Sequence, residues 1–339
     1  MSVIYLGHTE LAEALRLCYR AEMLAVKAGA FVRVPAVIWG DPGSGKTSAA
    51  REMTKALAQE FEDAGIKSGF WSTALALKNA EDIGGYPVPN KEDGVMMFLP
   101  PSEMPFLHNN NRKDPPYGIW VIDDVDRSAV ETRNAAMSIL LDRKINGNEI
   151  SPKVYVCATA NGESDVGTTS PLGGAFGNRL VHLYLRPQYG WTEHLKHPAL
   201  CGVEDILPIH HTEFEEKAMC TPRSIEMALW VIKSVKDESP LVVRAVINGC
   251  VGSEGGAILS KLAFRKVSLD DILNGTADID ISLDDIELLS RELKRVPVQS
   301  QPAVKTAVEK WAVNIQPEFQ RTIKATLSYF KNWVDVQKR

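Results

Sequence analysis

Eight residues, Gly40-Asp41-Pro42-Gly43-Ser44-Gly45-Lys46-Thr47, satisfy the spacing G-x-x-x-x-G-K-[ST]. That spacing suits phosphate. The glycines let the loop curl until successive backbone N–H groups converge on phosphate oxygens, and a helix starting at Lys46 adds the positive end of its dipole. Lys46 then reaches the β- and γ-phosphates of a nucleotide, and the Thr47 hydroxyl ligates magnesium. Composition alone yields the four fixed positions in on the order of one chain in a hundred of this length, so context has to decide.

Further along, Trp120-Val121-Ile122-Asp123-Asp124 ends an apolar stretch in two carboxylates. Asp123 suits magnesium, bound directly or through water, and Asp124 is placed to polarise an attacking water. Simple P-loop kinases need no such second acid, because their nucleophile is the substrate. Asn161, in Cys157-Ala158-Thr159-Ala160-Asn161-Gly162, stands where ligands of open α/β sheets bind and is suited to positioning that water. Arg179 precedes another apolar stretch, and a guanidinium at a subunit edge can stabilise charge on a neighbour's γ-phosphate. Taken singly, each has a plain reading: a strand cap, a turn residue before glycine, a surface arginine.

The elements around these residues read as alternating strands and helices. Residues 10–28 carry a helical apolar period and 34–39 a buried strand; 46–61 is rich in helix formers. Buried strands are expected at 118–123, 153–159 and 180–185, with a helix at 128–142. This alternation predicts a parallel sheet. From 188 onward the pattern is helical, including 221–236 and 240–263. The acidic SLDDILNGTADIDISLDDIE and the proline-containing VPVQSQP, expected to be a linker, open a third region. The last segment sets Phe319, Ile323, Leu327, Phe330 and Val334 on one helical face, expected to pack on the preceding helical region. The domains expected are 1–187 (αβα), 188–268 (helical lid) and 269–339 (helical extension).

The totals fit this reading. A chain of 339 residues, 45% hydrophobic and 24% charged, is long enough for about two domains. A net charge of -5 and a pI near 5.9 argue against a surface that tracks a phosphate backbone throughout. The N-terminus lacks the basic start and apolar core of a signal peptide, and no apolar run of bilayer-spanning length is read, so no membrane insertion is expected. Five widely spaced cysteines without a C-x-x-C pair fit a reducing cytoplasm. His197, Cys201, His210 and His211 match no standard zinc spacing and are read as ordinary surface.

In order, the segments EDIGGYPVPNKEDGVMMFLPPSEMP (81–105), VIDDVDR (121–127), LLDRKING (140–147), ATANGE (158–163), FGNRLVHLYL (176–185) and CTPRSIEMA (220–228) resemble those of AAA+ ATPases of the MoxR-like branch. The likeness spans roughly residues 10–235 and is specific as a set. It implies an αβα sandwich followed by a helical lid, with ATP and magnesium bound between neighbours in a ring, usually a hexamer. By this resemblance Asn161 corresponds to sensor 1, Arg179 to the arginine finger and Arg223, after Thr221-Pro222, to sensor 2. The family's Asp-Glu pair is here Asp123-Asp124, whose shorter second acid is expected to slow hydrolysis.

The resemblance also implies that segments 84–99, with Tyr86, and 144–152, with an Asn-Gly hairpin signal, face the pore of the ring. Members of the branch often remodel protein partners carrying a von Willebrand factor A domain, which this chain lacks. Three functions follow: a ring ATPase that remodels a protein partner; a nucleic-acid-associated AAA+ protein such as a clamp-loader, transposition or phage replication factor; and a static nucleotide switch or small-molecule kinase. The ten Lys/Arg against four Asp/Glu in residues 291–339 count toward the second.

Overall fold

A computed structural model describes residues 3–30, 32–62, 68–107, 117–161, 178–186, 220–294 and 296–336, with side chains for all but 57–62 and 329–336. Contacts divide the chain into two compact units, Met1–Gln188 and Tyr189–Arg339.

In chain order the first unit contains β1 (Tyr5–Leu6), α1 (His8–Lys27), β2 (Ala36–Trp39), α2 (Lys46–Glu62), β3 (Ser68–Ala74) and α3 (Ala80–Gly84). There follow a hairpin of β4 (Tyr86–Asn90) and β5 (Val95–Leu99), then β6 (Tyr117–Asp123), α4 (Val130–Asp142), a second hairpin of β7 (Lys144–Ile145) and β8 (Asn148–Glu149), β9 (Val154–Ala160) and β10 (Val181–Leu185). The main sheet has six strands in the order β1-β10-β2-β9-β6-β3, and every pairing is parallel.

Central strands of such a sheet are covered on both faces, so they read as unbroken apolar runs. All seven residues of β9 are buried. On one face Val37, Trp120, Ile122 and Val156 pack with Ile139 and Leu140 of α4. On the other, Ile38, Val121, Tyr155 and Cys157 pack with Leu11 and Leu15 of α1 and Met53 of α2. The edge strand β3 is mostly half-buried and its sequence SGFWSTA lacks an apolar run, which is why sequence reasoning passed over it.

The two hairpins are tied together. Asn146 Nδ2 donates to Gly84 O at 3.0 Å, and Asn148 Nδ2 donates to Phe98 O at 2.9 Å. Asn146 and Gly147 both have positive φ (49° and 81°), which a two-residue hairpin turn requires. The first hairpin forms despite Pro87 and Pro89 because each strand of a two-stranded ribbon keeps an unpaired edge.

The second unit is helical where described: α5 (Pro222–Ser234), α6 (Pro240–Ala263), α7 (Leu269–Asn274), α8 (Leu283–Lys294), α9 (Gln301–Ala312) and α10 (Pro317–Val336). The repeated Ser-Leu-Asp-Asp caps two of them. Ser268 with Asp271, and Ser282 with Asp285, exchange side-chain and backbone hydrogen bonds at the starts of α7 and α8. The expected linker VPVQSQP instead runs into α9, where Pro302 occupies the first turn and loses no helical hydrogen bond.

Ile323 and Leu327 of α10 are buried with Leu289, Leu293, Val304 and Val308, so the terminal stripe packs within residues 267–327 rather than on α5 and α6. Phe330 and Val334 lie outside the described side chains.

One expectation is corrected. Helix α6 is long and apolar enough to cross a membrane by length and composition, with a window of mean hydropathy 1.2. Its sequence escapes a reading for apolar runs because Arg244, Asn248 and Glu254 interrupt it. The same properties serve a core helix: Val243, Ile247, Val251 and Leu259 pack against Ile225 and Leu229 of α5. Gly252, at φ 79° and ψ 173°, breaks the helix in the middle.

Candidate active site

Strands β2, β9 and β6 are neighbours, so their C-terminal ends deliver the glycine loop, Asn161 and the two aspartates to one edge of the sheet. Register sharpens this. Trp39 pairs with Ala160, and Gly40 N–H donates to Ala160 O at 3.2 Å, which sets the start of the loop beside Asn161.

The loop turns on Gly43 and Gly45, both at positive φ (76° and 94°). A Cβ at Gly45 would also crowd the His8 imidazole. His8 itself was not singled out in the sequence. It starts α1, far from the motif, and its Nε2 lies 2.7 Å from Ser44 O; a carbonyl only accepts, so that nitrogen carries the proton. The Ser44 hydroxyl is buried without a hydrogen-bond partner.

Lys46 is 7% exposed, and its ammonium donates to Gly40 O at 2.7 Å, Asp41 O at 3.1 Å and Asn161 Oδ1 at 2.7 Å. Burial lowers its pKa from the ordinary lysine value, while the carboxylates of Asp124, Asp123, Asp126 and Asp41 oppose that shift.

Asp123 is held by three hydroxyls. Thr47 Oγ1 lies 2.9 and 3.0 Å from its two oxygens, Thr159 Oγ1 donates at 2.6 Å and Ser72 Oγ at 3.2 Å. A hydroxyl and a carboxylate side by side are hard oxygen donors of the kind magnesium takes. Among the described residues no group of three His, Cys, Asp or Glu side chains converges. The donor set therefore fits a cation completed by phosphate oxygens and water rather than by an all-protein cage. His197, Cys201, His210 and His211 lie outside the described residues.

Asp124 adopts the left-handed conformation, φ 56° and ψ 46°, which aspartate tolerates at a cost on the order of 1 kcal/mol. Its Oδ1 accepts a hydrogen bond from Asn161 Nδ2 at 3.2 Å. A cavity of about 520 Å³ opens beside it, lined by Ala74, Ala76, Leu77 and Arg127. Asn161 thus touches both the lysine and the second acid with opposite ends of one amide.

The structure brings Gly40 through Thr47, Asp123, Asp124 and Asn161 together. It does not bring Arg179 to them. Arg179 is exposed in the turn before β10, at the end of the sheet opposite the loop, because Val181 pairs with Ala36 at the start of β2. Five residues of strand place it on the order of 15 Å from the loop's edge. Arg223 is exposed in the first turn of α5, behind the Thr221 cap and Pro222, in the second unit.

No sequence-family model matches the chain, and no curated protein matches it. Among solved structures it is similar to C. elegans PCH-2, at 14% identity and a TM-score of 0.38, over 76% of this chain and 67% of that one. It is also similar to a Cytophaga hutchinsonii protein whose ATPase activity is itself an inference, at 13% identity and a TM-score of 0.32, over 89% and 93% of the two chains. At these scores neither likeness bears on the site. The fold rests on the strand order and register described above.

Proposed function

We propose that this chain is an AAA+ ATPase of the MoxR-like branch, which assembles as a ring, hexameric in our reading, and couples ATP hydrolysis to remodelling or activation of a separate protein partner. One observation carries the ATPase reading: a single amide, that of Asn161, spans the glycine-loop lysine and the second acid, at 2.7 and 3.2 Å. A loop that only holds nucleotide has no use for that connection.

In this reading the N–H groups of residues 40–47 and the Lys46 ammonium hold the phosphates. Magnesium, held by Thr47 and Asp123, supplies charge neutralisation at the phosphates when bound. Asp124 orients and polarises the attacking water, and Asn161 fixes its position relative to Lys46. The free thiols Cys18, Cys157, Cys220 and Cys250 accord with the cytoplasmic location proposed.

The place of Arg179 supports a shared site. At the far end of the sheet it serves a neighbour's nucleotide, and by the resemblance to the same branch Arg223 corresponds to sensor 2. Subunits carrying Lys46→Ala and subunits carrying Arg179→Ala should each be inactive alone and regain ATPase activity when mixed. Absence of recovery overturns the shared site. The hairpins tipped by residues 90–95 and 146–147 then face the translocating or remodelled partner, and a partner with a von Willebrand factor A domain is our leading candidate.

The nucleic-acid reading is favoured by one observation, the basic balance of residues 291–339. It requires DNA affinity that falls steeply with added salt.

A further inference from the structure

The ladder between β6 and β9 ends at Ile122 and Ala158. Beyond it, two side chains take up the pairing in opposite directions. From β9, Thr159 Oγ1 donates to Asp123 Oδ1 at 2.6 Å and accepts the N–H of Asp124 at 3.1 Å. From the turn after β6, Asp126 Oδ2 accepts the N–H of Asn161 at 2.9 Å. Thr159 is fully buried, and Asp126 is 3% exposed. The main chain of Asp126 is fixed in turn, since Arg133 donates to its carbonyl at 3.3 Å and to that of Ser128 at 3.0 Å.

These bonds sit where the backbone alone no longer sets distances. Asp124 stands in the left-handed conformation, at a modest cost for a non-glycine residue, and the Thr159 hydroxyl grips its N–H. Asn161 follows the last strand residue, and the Asp126 carboxylate grips its N–H. Neither gripping side chain points its bond at the glycine loop. A buried carboxylate is costly to keep for packing alone, and the Oδ1 of Asp126 is left without a partner.

We propose that Thr159 and Asp126 form a reciprocal latch that sets Asn161 against Asp124, so that both are positioning residues for hydrolysis, acting through the amide and the second acid. The inference rests on the reading of this cleft as an ATP site. Its consequence is a split between steps: neither Thr159 nor Asp126 bonds the glycine loop that holds nucleotide, whereas the water-orienting pair depends on both. Thr159 also bonds Asp123, so the Asp126 variants read the latch apart from the magnesium ligand.

The test uses paired variants of the full chain. Thr159→Val keeps the shape and removes both bonds, while Thr159→Ser keeps the hydroxyl. Asp126→Ala removes the acceptor, while Asp126→Asn keeps an oxygen for the Asn161 N–H. The Val and Ala variants should lower kcat for ATP by about tenfold or more, because a small misplacement of reacting groups costs that much. KM should stay within about threefold, and the Ser and Asn variants should recover most of the lost kcat. Thermal unfolding is followed alongside; if one pair fails to fold, the other carries the test. Unchanged kcat in the Val and Ala variants overturns the latch, as does equal loss in the Ser and Asn variants. A parent chain without ATPase activity removes the site reading and the latch together, whereas an active parent with unaffected variants removes the latch alone.

Discussion

The ammonium of Lys46 donates to the side-chain oxygen of Asn161 at 2.7 Å across 115 residues of sequence. The bond joins the loop that grips phosphate to the strand end that faces the second acid. It forms because β2 and β9 are neighbours in register, not because the two segments are close in the chain.

Replacing Asn161 with alanine cuts this connection and frees Asp124 Oδ1. Asn161→Ala should lower kcat by about a hundredfold, the usual scale for losing a positioned proton-transfer geometry. ATP affinity, measured by equilibrium binding, should change far less, since the remaining Lys46 contacts to Gly40 and Asp41 persist.

A second prediction concerns stability. Glu22 of α1 and Arg143, just after α4, form a buried ion pair at 2.6 Å, and the other Glu22 oxygen accepts Val34 N–H at 3.0 Å. Arg143→Ala leaves a buried carboxylate unpaired and should cost about 3–5 kcal/mol in chemical denaturation. Adding Glu22→Gln should return part of that loss. Additive losses in the double variant would contradict the coupling.

The first hairpin supplies a third. Tyr86 is 74% exposed, and Val95, Met96 and Leu99 are also exposed. Tyr86→Ala should leave ATPase activity intact and abolish partner remodelling. Gly85→Ala should instead disturb the hairpin itself, because φ is 87° and an added Cβ would lie 2.4 Å from Leu99 O. Limited proteolysis within 86–99 reads the second effect directly.

Much of this was legible in the sequence, and particular residues show why. The run Val37, Ile38, Trp39 before the glycines marked a buried strand, and the strands ending at Asp123 and Ala160 were marked in the same way. Asn146-Gly147 announced its hairpin through conformations that few other residues adopt. What escaped were features set by tertiary neighbours. Strand β3 lies at the sheet edge and is only half-buried, so no apolar run betrays it. The contact of His8 with the loop leaves no local trace, since helix α1 needs no histidine at its start. The roles of Thr159 and Asp126 follow only from which strands are adjacent. Arg223 was marked by resemblance, and its place in the first turn of α5 matches the helix expected over 221–236.

The measurement closest to the central claim is ATP hydrolysis by the purified chain, with and without magnesium, beside the Asp124→Asn variant. The account predicts magnesium-dependent hydrolysis by the parent chain, and a variant that still binds ATP but turns over none. Hydrolysis by the variant at the parental rate, or a parent that binds ATP without hydrolysing it, would contradict it.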